Sequence, residues 1–473
     1  MIRLIIRKEI QDNLLNARFI AASVVSVLLI LTSVIVLTRS YEERLQEHRT
    51  AAARQDEFID RFGHLNRIQW MSDQGRAPSQ FQALVLGINT EGREENFSSN
   101  PVPALLPQID FVTIVTIIMS LMAILFSYNT LCGEREAGLL RLMLATGGSR
   151  SGLVFGKFIG GNLSLLVPFT VGVIAGLLFL VTSPGVIVTR TDIYVFLLLL
   201  LAAWLLISSF YALGLLVSSR AHTSGQAVLS SLSAWTMFVL LIPNISPFLA
   251  ARIYPTPSVA KTEKDIRWIT SDERDEIVRQ RGRELLQGEY ADIAGIVQLT
   301  PNERQAAIDR DPRLRDRYTM YVRAWDEMLG RVNAEQKAKG DKIDNVEKQR
   351  AKNQEQFAIV FASLSPISSF IFAATDLTET GIQGEDRWER FKGQYLADVY
   401  AFGQARFDRA REHNPAFDYN DSLDLRDRPR FHDVPATLGE RMAMTLLRFG
   451  LLALFNLLFL AAAIVSFYRY DVR

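Results

Sequence analysis

The sequence predicts an all-α membrane protein with six transmembrane helices, both termini in the cytoplasm, an extracytoplasmic helical hairpin and a large extracytoplasmic helical domain. Six long apolar blocks contain no Asp, Glu, Lys or Arg, although the chain of 473 residues carries 52 basic and 51 acidic side chains. A hydrocarbon core of about 30 Å needs about 20 apolar residues of helix, and a charge at mid-depth costs at least about 2.5 kcal/mol. A buried core helix could explain one such block, but six of them predict membrane spans.

The segments are bounded by the positions where charge disappears and returns. We predict spans over residues 19–38, 111–129, 158–182, 193–219, 226–251 and 449–468. Around them we expect a cytoplasmic amphipathic helix (1–18), an extracytoplasmic hairpin (39–110), a cytoplasmic segment (130–157), an extracytoplasmic helical domain (252–445) and a cytoplasmic tail (469–473).

The chain is expected to start with an amphipathic helix rather than a signal peptide. Isoleucine or leucine recurs at every fourth position from Ile2 to Leu14, with charged residues between them. This spacing puts apolar side chains on one face, which can lie on a membrane. The first apolar block is longer than the apolar region of a signal peptide and runs into Arg39-Ser40-Tyr41-Glu42 rather than a small-residue cleavage site.

The large polar insert has the composition of a helical domain, since residues 251–445 hold 65 of the chain's 103 charged side chains. Thr300-Pro301-Asn302-Glu303 offers an N-cap hydroxyl, a proline at the first helical position and a capping glutamate. Asp311-Pro312 predicts a second helix start, with Gly330 and Gly340 as breaks further on.

An apolar stretch near the end of the insert, residues 357–375, is interrupted by Ser365-Pro366. A seventh span here would move the C-terminus across the membrane. We therefore expect a membrane-surface or domain-core element.

Basic residues decide the predicted orientation. The side that holds the termini has eleven Lys and Arg in short segments, whereas the one short loop on the opposite side has only Arg190. Positive residues in short loops stay in the cytoplasm, while long domains cross largely regardless of charge. The termini are thus predicted inside and both large inserts outside.

The most specific pattern directly follows the second predicted span, where residues 132–144 read CGEREAGLLRLML. This stretch resembles the E-R-E-x-G-x-L-x-L-L-L signature of the ATP-binding-cassette (ABC) type-2 permease family, with Leu139 where the family often has threonine. A solvated charge run at the end of a span is the alternative explanation. The position favours the family, because Gly152, Gly156 and Gly160 follow as a stripe that permits close helix packing. In outline the resemblance extends over most of the chain, to a subgroup whose large external domain has no agreed function.

In that family the segment over residues 130–157 is a coupling helix that docks into a cleft of an ATPase and transmits its opening and closing. The resemblance implies an interface in which apolar side chains enter a groove and charged ones form ion pairs at its rim. The implied interface residues are Glu134, Arg135, Glu136, Gly138, Leu139, Leu142, Met143 and Arg150.

The sequence provides no nucleotide site. No G-x-x-x-x-G-K-[ST] occurs, since Gly152 to Lys157 has the wrong spacing and Phe158 stands where a hydroxyl is needed. We expect ATP and magnesium in a separate cytoplasmic ABC ATPase, and no catalytic residue, cofactor or metal in this chain. One cysteine and five scattered histidines offer no metal cluster, and the near balance of charge argues against a nucleic-acid partner.

Two functions stay open at this point. The resemblance implies an exporter subunit of the plasma membrane, in bacteria the inner membrane, that pairs with an identical or different second permease subunit. Alternatively, the chain transmits ATP-driven movement to an extracytoplasmic partner without passing a substrate, since its insert is large for a connecting loop. An intramembrane enzyme or ion-driven transporter would need ionisable groups at mid-span. The spans offer only milder polar residues, which helix–helix hydrogen bonds explain, and the cargo is not indicated.

Overall fold

The computed structural model describes residues 2–65, 68, 72, 75–87, 109–145, 149–413, 421–431 and 434–469. Within these ranges the chain forms helices, turns and loops, and no β-strand occurs. Six of the helices are long and apolar enough to cross a membrane. The prediction of an all-α membrane protein with six spans is confirmed.

The helices that contain the six spans extend beyond the apolar blocks. They are Ala17–Phe62, Phe111–Glu136, Arg150–Val181, Arg190–Arg220, Ser224–Ile253 and Leu438–Tyr468. The second is interrupted by a turn at residues 128–131, so Cys132–Glu136 forms a short helix of its own. Polar helix formers continue these helices, because a helix has no reason to end where the apolar residues do. The second and fifth spans each contain a π-helical turn, at Ile114–Met119 and Met237–Leu241.

The first span continues furthest beyond its apolar block. That block ends at Thr38, yet the helix runs unbroken to Phe62 through residues predicted to form a separate hairpin. No glycine or proline occurs in residues 39–62, so nothing in this stretch breaks the helix. Further along the predicted hairpin the structure shows a short 3₁₀ helix, Gln80–Ala83, and most of residues 88–110 lie outside the described part of the chain.

The end of this long helix shares a small apolar core with the helix Ile382–His413. The buried residues of this core are Ile59, Leu65, Ile68, Val399, Phe407, Leu423 and Leu425. Arg428 is also buried and forms ion pairs with both Asp56 and Asp60. The segments 39–110 and 252–445 were predicted as two separate extracytoplasmic regions. In the structure, residues from both segments form this one core.

Residues Asn244–Phe361 form a compact unit of their own. Its core is aromatic, with Tyr290 and Tyr321 buried and Trp325 packed against them. The helical segments are Val259–Arg267, Trp268–Glu273 (a π-helical turn), Arg274–Gln287, Ala291–Ile293 (3₁₀), Ala294–Val297, Pro301–Arg310 and Pro312–Ala362.

Both predicted helix starts in this unit are confirmed. Glu303 accepts a hydrogen bond from the Thr300 N–H at 3.2 Å where the helix Pro301–Arg310 begins. The next helix begins at Pro312 and continues for 51 residues. The expected breaks at Gly330 and Gly340 do not occur, because an isolated glycine costs a helix only about 1 kcal/mol.

The apolar stretch after Ser365 forms the short helix Pro366–Leu377, which is buried along most of its length. It packs against the fourth and sixth spans. Ser365 caps it by accepting from the Ile367 N–H at 3.1 Å, and the same hydroxyl donates to the carbonyl of Phe238 in the π-helical turn of the fifth span. The helix is therefore a core element, but its core is the one formed by the spans rather than a core of the polar insert.

Hydrogen bonds between spans hold the bundle at several depths. Trp235 donates to Ser120 at 2.9 Å, which links the fifth and second spans, and Asn456 donates to the carbonyl of Leu205 at 2.8 Å, which links the sixth and fourth. Such bonds contribute about 0.6 to 2 kcal/mol each. They support the interpretation of the polar side chains as packing residues.

Candidate functional site

The predicted coupling segment consists of two short helices separated by a glycine turn. Cys132–Glu136 forms the first and Leu139–Ala145 the second. Gly138 lies between them with φ of 73°, a left-handed conformation that glycine adopts without a side-chain clash. Residues 146–148 lie outside the described part of the chain, and the third span begins at Arg150.

Glu134 belongs to a network of four charged side chains. Its Oε1 accepts from Lys8 Nζ and from Lys157 Nζ, both at 3.0 Å. Lys157 Nζ also donates to Glu9 Oε2 at 3.1 Å. We call Glu9, Lys157, Glu134 and Lys8 the ionic clamp. It joins three elements: the N-terminal helix Ile2–Leu14, the short helix Cys132–Glu136, which we call the signature segment, and the start of the third span.

Three of the four clamp residues are largely removed from solvent, whereas the side chain of Lys8 is 44% exposed. Only 2% of the Lys157 side chain is exposed, and Glu9 and Glu134 are also mostly covered. Burial raises the pKa of Glu9 above its usual value, and the nearby Lys157 offsets part of this rise. Burial acts to lower the pKa of Lys8, but the hydrogen bond to Glu134 and the nearby carboxylates of Glu134, Asp12 and Glu9 together outweigh it, so the pKa is raised. The two lysines and two glutamates balance in charge, which reduces the cost of burying them.

Arg135 binds a different element, the end of the fourth span. Its Nη1 donates to the carbonyl of Ala221 at 2.8 Å and its Nη2 to that of Ser219 at 3.0 Å. The last carbonyls of a helix have no partner within the helix, and a cation there is also favoured by the helix dipole. Next to this contact, Ser218 Oγ accepts from the N–H groups of Leu131 and Cys132, each at 3.0 Å.

Glu136 binds the start of the fifth span. Its Oε1 accepts from the Ser224 N–H at 3.0 Å, and its Oε2 accepts from the Ser224 hydroxyl. A carboxylate at a helix N-terminus satisfies a free N–H group and is favoured by the helix dipole. Consecutive residues Glu134, Arg135 and Glu136 therefore bind three different parts of the membrane domain.

The second short helix presents leucines outward. Leu139 is 47% exposed and Leu142 is 64% exposed. Leu140 is buried in the main core, and Met143 packs against that core. This helix thus has one face anchored in the protein and one apolar face uncovered by the described residues.

Gly138 and Arg150 complete the predicted set. Gly138 is exposed in the turn before the second short helix. Arg150 Nη1 donates to the carbonyl of Tyr468 at 2.7 Å, at the end of the sixth span. Of the eight predicted site residues, five are bonded to or packed against other parts of the protein. Four charged residues form bonds within the chain and Met143 packs against the core, whereas Gly138, Leu139 and Leu142 are exposed. A role of the charged group at the rim of an ATPase groove stays a prediction.

The glycine stripe is where the N-terminal helix packs. A Cβ atom at Gly156 would lie 3.0 Å from Ile5 Cγ2, and one at Gly160 would lie 2.8 Å from Glu9 Cβ and 3.1 Å from the carbonyl oxygen of Ile6. The predicted close packing at these glycines is confirmed. The packed face includes Ile5 and Glu9, whereas Leu14 on the predicted apolar face is exposed.

Sequence reasoning missed Lys157, Glu9 and Lys8 as site residues. Lys157 directly precedes the third apolar block and reads as an ordinary interfacial lysine. The glycines on either side of it, Gly156 and Gly160, were the available signal, because a helix packed on them brings its own side chains to Lys157.

Comparison with known proteins identifies the family. A family model described as ABC-2 family transporter protein matches residues 3–472. The chain belongs to this family. Membership makes it a transporter protein of the ABC-2 family, with six helices that can cross a membrane in its described part.

Two curated relatives match part of this ABC-2 family chain. The probable ABC transporter permease protein NosY of Pseudomonas aeruginosa is 31% identical over 165 residues, and that of Stutzerimonas stutzeri is 27% identical over 163 residues. Each match covers 34% of this chain and 58% of the relative. The chain thus matches little more than half the length of these relatives.

Proposed function

We propose that the chain is the permease subunit of an ABC exporter, driven by a separate cytoplasmic ATPase through a coupling helix after the second span. The observation that carries this is the helix Leu139–Ala145, which exposes Leu139 and Leu142 on one face. Its preceding residues are bonded to the N-terminal helix and to the third, fourth and fifth spans. Force applied at the leucines would therefore reach most of the bundle.

In the proposed mechanism, the ATPase displaces the coupling segment and the elements bonded to it as one rigid body. A groove on the ATPase would receive Leu139 and Leu142, since buried apolar side chains form the core of protein interfaces. ATP-driven closure would then displace the segment together with the elements that Glu134, Arg135 and Glu136 hold. A packed helix bundle responds to such a displacement by moving between discrete packings.

The other components of the proposed transporter, the ATPase and a second permease subunit, would be separate chains. ATP and magnesium would bind the partner ATPase, and this chain would be a non-catalytic membrane subunit that holds no cofactor. A second permease subunit, identical or different, would complete the path between two halves, and the complex would lie in the plasma membrane. The match of this chain to relatives named as permeases supports this assignment.

The test is a change at the exposed leucines that leaves the internal bonds intact. Leu139→Glu with Leu142→Glu should abolish co-purification of the ATPase or its stimulation, because both carboxylates would be buried unpaired in an apolar groove. Leu142→Met is the matched control, since it keeps an apolar side chain. Full stimulation in the double glutamate variant would overturn the coupling role.

A mechanical function without cargo is the second candidate. The observation that favours it is the helix Pro312–Ala362, whose 51 residues span about 75 Å at 1.5 Å per residue. Such a helix suits transmission of movement over a long distance. Spin labels on the exposed residues Leu201 in the fourth span and Met320 in this helix separate the two functions. Export predicts that ATP opens a path that makes the Leu201 labels accessible to a water-soluble relaxation agent, whereas mechanical transmission predicts that these labels stay inaccessible while the distance between the two subunits' Met320 labels changes.

A further inference from the structure

Lys157 is a buried lysine at the start of a membrane helix, held between two carboxylates. Its Nζ lies 3.1 Å from Glu9 Oε2 and 3.0 Å from Glu134 Oε1. A buried ion pair is costly to desolvate, and well-packed apolar residues of similar volume often give equal or greater stability. Stability alone therefore does not account for charges at this position.

The three partners come from three separate elements. Glu9 lies on the N-terminal helix, Glu134 on the signature segment and Lys157 on the third span. Lys8 adds a second bond from the N-terminal helix to the same Glu134 oxygen. The ammonium group of Lys157 thus holds both the N-terminal helix and the signature segment in fixed positions on the third span.

The packing around the clamp leaves little freedom for sliding. At Gly160 the two helices approach so closely that a Cβ atom would lie 3.1 Å from the Ile6 carbonyl oxygen. One turn further along, Asn13 Nδ2 donates to Ser164 Oγ at 3.3 Å. Close backbone contact and directional polar bonds together favour motion of the two helices as a unit.

We propose that Lys157 is a positioning residue that makes the N-terminal helix, the signature segment and the start of the third span one rigid body. The inference rests on the proposed function, because it names the point at which movement of the coupling helix enters the membrane domain. The ATPase displaces the segment, Glu134 pulls Lys157 with it, and Glu9 keeps the N-terminal helix in register.

The three buried charges of the clamp can be removed together, which leaves only the half-exposed Lys8 charged. Lys157→Met alone leaves Glu9 and Glu134 buried and facing each other, and this variant is expected to fold poorly. The triple variant Glu9→Gln, Glu134→Gln and Lys157→Met keeps the shapes and removes all three charges. The matched control neutralises an exposed pair on the helix Ala17–Phe62, Glu57→Gln with Arg61→Met.

The experiment measures rigidity and coupling in the full-length chain. In a Cys132→Ser background, spin labels at the exposed positions Leu4 and Ala137 report the distance between the N-terminal helix and the signature segment. We expect a narrow distance distribution in lipid nanodiscs, unchanged when the co-purified ATPase is trapped with ATP and vanadate. The triple variant should give a broad distribution and lower stimulation of the ATPase by about fivefold or more, while the control keeps both wild-type values.

The outcomes separate the clamp from the proposed function. A triple variant with a narrow distribution, or with full ATPase stimulation, would show that the charges transmit nothing and overturn the inference. A wild-type chain that neither binds nor stimulates an ATPase would refute the coupling function, and the label distances in the isolated chain would still decide whether the clamp makes one rigid body. Lys157→Arg in the otherwise wild-type chain keeps a cation between the two carboxylates, so it should retain the narrow distribution and the ATPase stimulation; loss of both in this variant would overturn the inference.

Discussion

At the scale of single residues, the signature owes its arrangement to partners far away in sequence. Glu134 meets Lys8 across 126 positions, Arg135 meets Ser219 and Ala221 across 84 and 86, and Glu136 meets Ser224 across 88. The sequence shows three charges at a span end, which fits a solvated run as well as a set of anchors. Only the fold distinguishes these possibilities, because each partner is brought near by a different helix.

A substitution of Arg135 tests whether this residue anchors the signature segment to the end of the fourth span. Arg135→Lys keeps the charge but loses the planar fork that reaches two carbonyls at once. We expect a loss of about 1–2 kcal/mol in stability, since two buried carbonyls share one ammonium at best. Thermal unfolding of the purified chain in detergent measures this change.

The control for this substitution is Arg220→Lys. Arg220 is exposed and lies in the last turn of the same fourth span. Exchange of one exposed cation for another there should leave the melting temperature unchanged. Equal effects at both positions would show that Arg135 acts only as a general positive charge.

At the scale of elements, the apolar blocks correctly predicted the number and the positions of the spans. They did not predict the residues at which the helices end. The first span was expected to end near Thr38 and runs to Phe62, and the helix from Pro312 passes through Gly330 and Gly340. Membrane insertion selects for an absence of charge, whereas helix termination depends on caps and breakers. A sequence can therefore give the number and place of the spans while leaving the lengths of their helices open.

The N-terminal helix shows the same limit in its orientation. Its amphipathic pattern was correctly read as helical, but its packed face contains Glu9 as well as Ile5. The spacing of apolar residues predicts an apolar buried face, so it could not predict that Glu9 lies on the face packed against the third span. The glycine stripe on the third span and the lysine within it determine that face together.

Gly160→Ala tests whether this helix depends on the stripe. The new Cβ would lie 2.8 Å from Glu9 Cβ, so the N-terminal helix must shift and the bond from Lys157 to Glu9 must lengthen. Overpacking of this kind typically costs about 1–3 kcal/mol. Hydrogen–deuterium exchange should show faster exchange over residues 2–14 in the variant.

The matched control is Gly450→Ala in the sixth span. A Cβ there would meet no other atom of the described chain within 4 Å, and alanine is a better helix former than glycine. We expect unchanged exchange over residues 2–14 in this variant. Unchanged exchange in Gly160→Ala as well would show that the helix docks without needing close approach.

At the scale of the whole molecule, the sequence predicted the spans and the helical character of the large polar insert, but not which polar segments pack together. Charge-free blocks identify membrane helices one by one, without reference to neighbours. The polar parts need long-range pairing: residues near Ile59 share a core with Val399 and Phe407, more than 300 positions later. No local pattern in either segment indicates the other, which explains why they were predicted as separate domains.

Orientation across the membrane is the last property that the sequence predicts, from the distribution of basic residues in short loops. It can be measured with a membrane-impermeant maleimide on spheroplasts, in a Cys132→Ser background. Met320→Cys should react directly, because residues 252–445 are predicted outside, and Ala137→Cys should react only after the membrane is opened. Both positions are exposed, so reaction in detergent controls for reactivity. The opposite pattern would place the leucine face of Leu139 and Leu142 outside the cell, where no ATP-driven subunit could reach it.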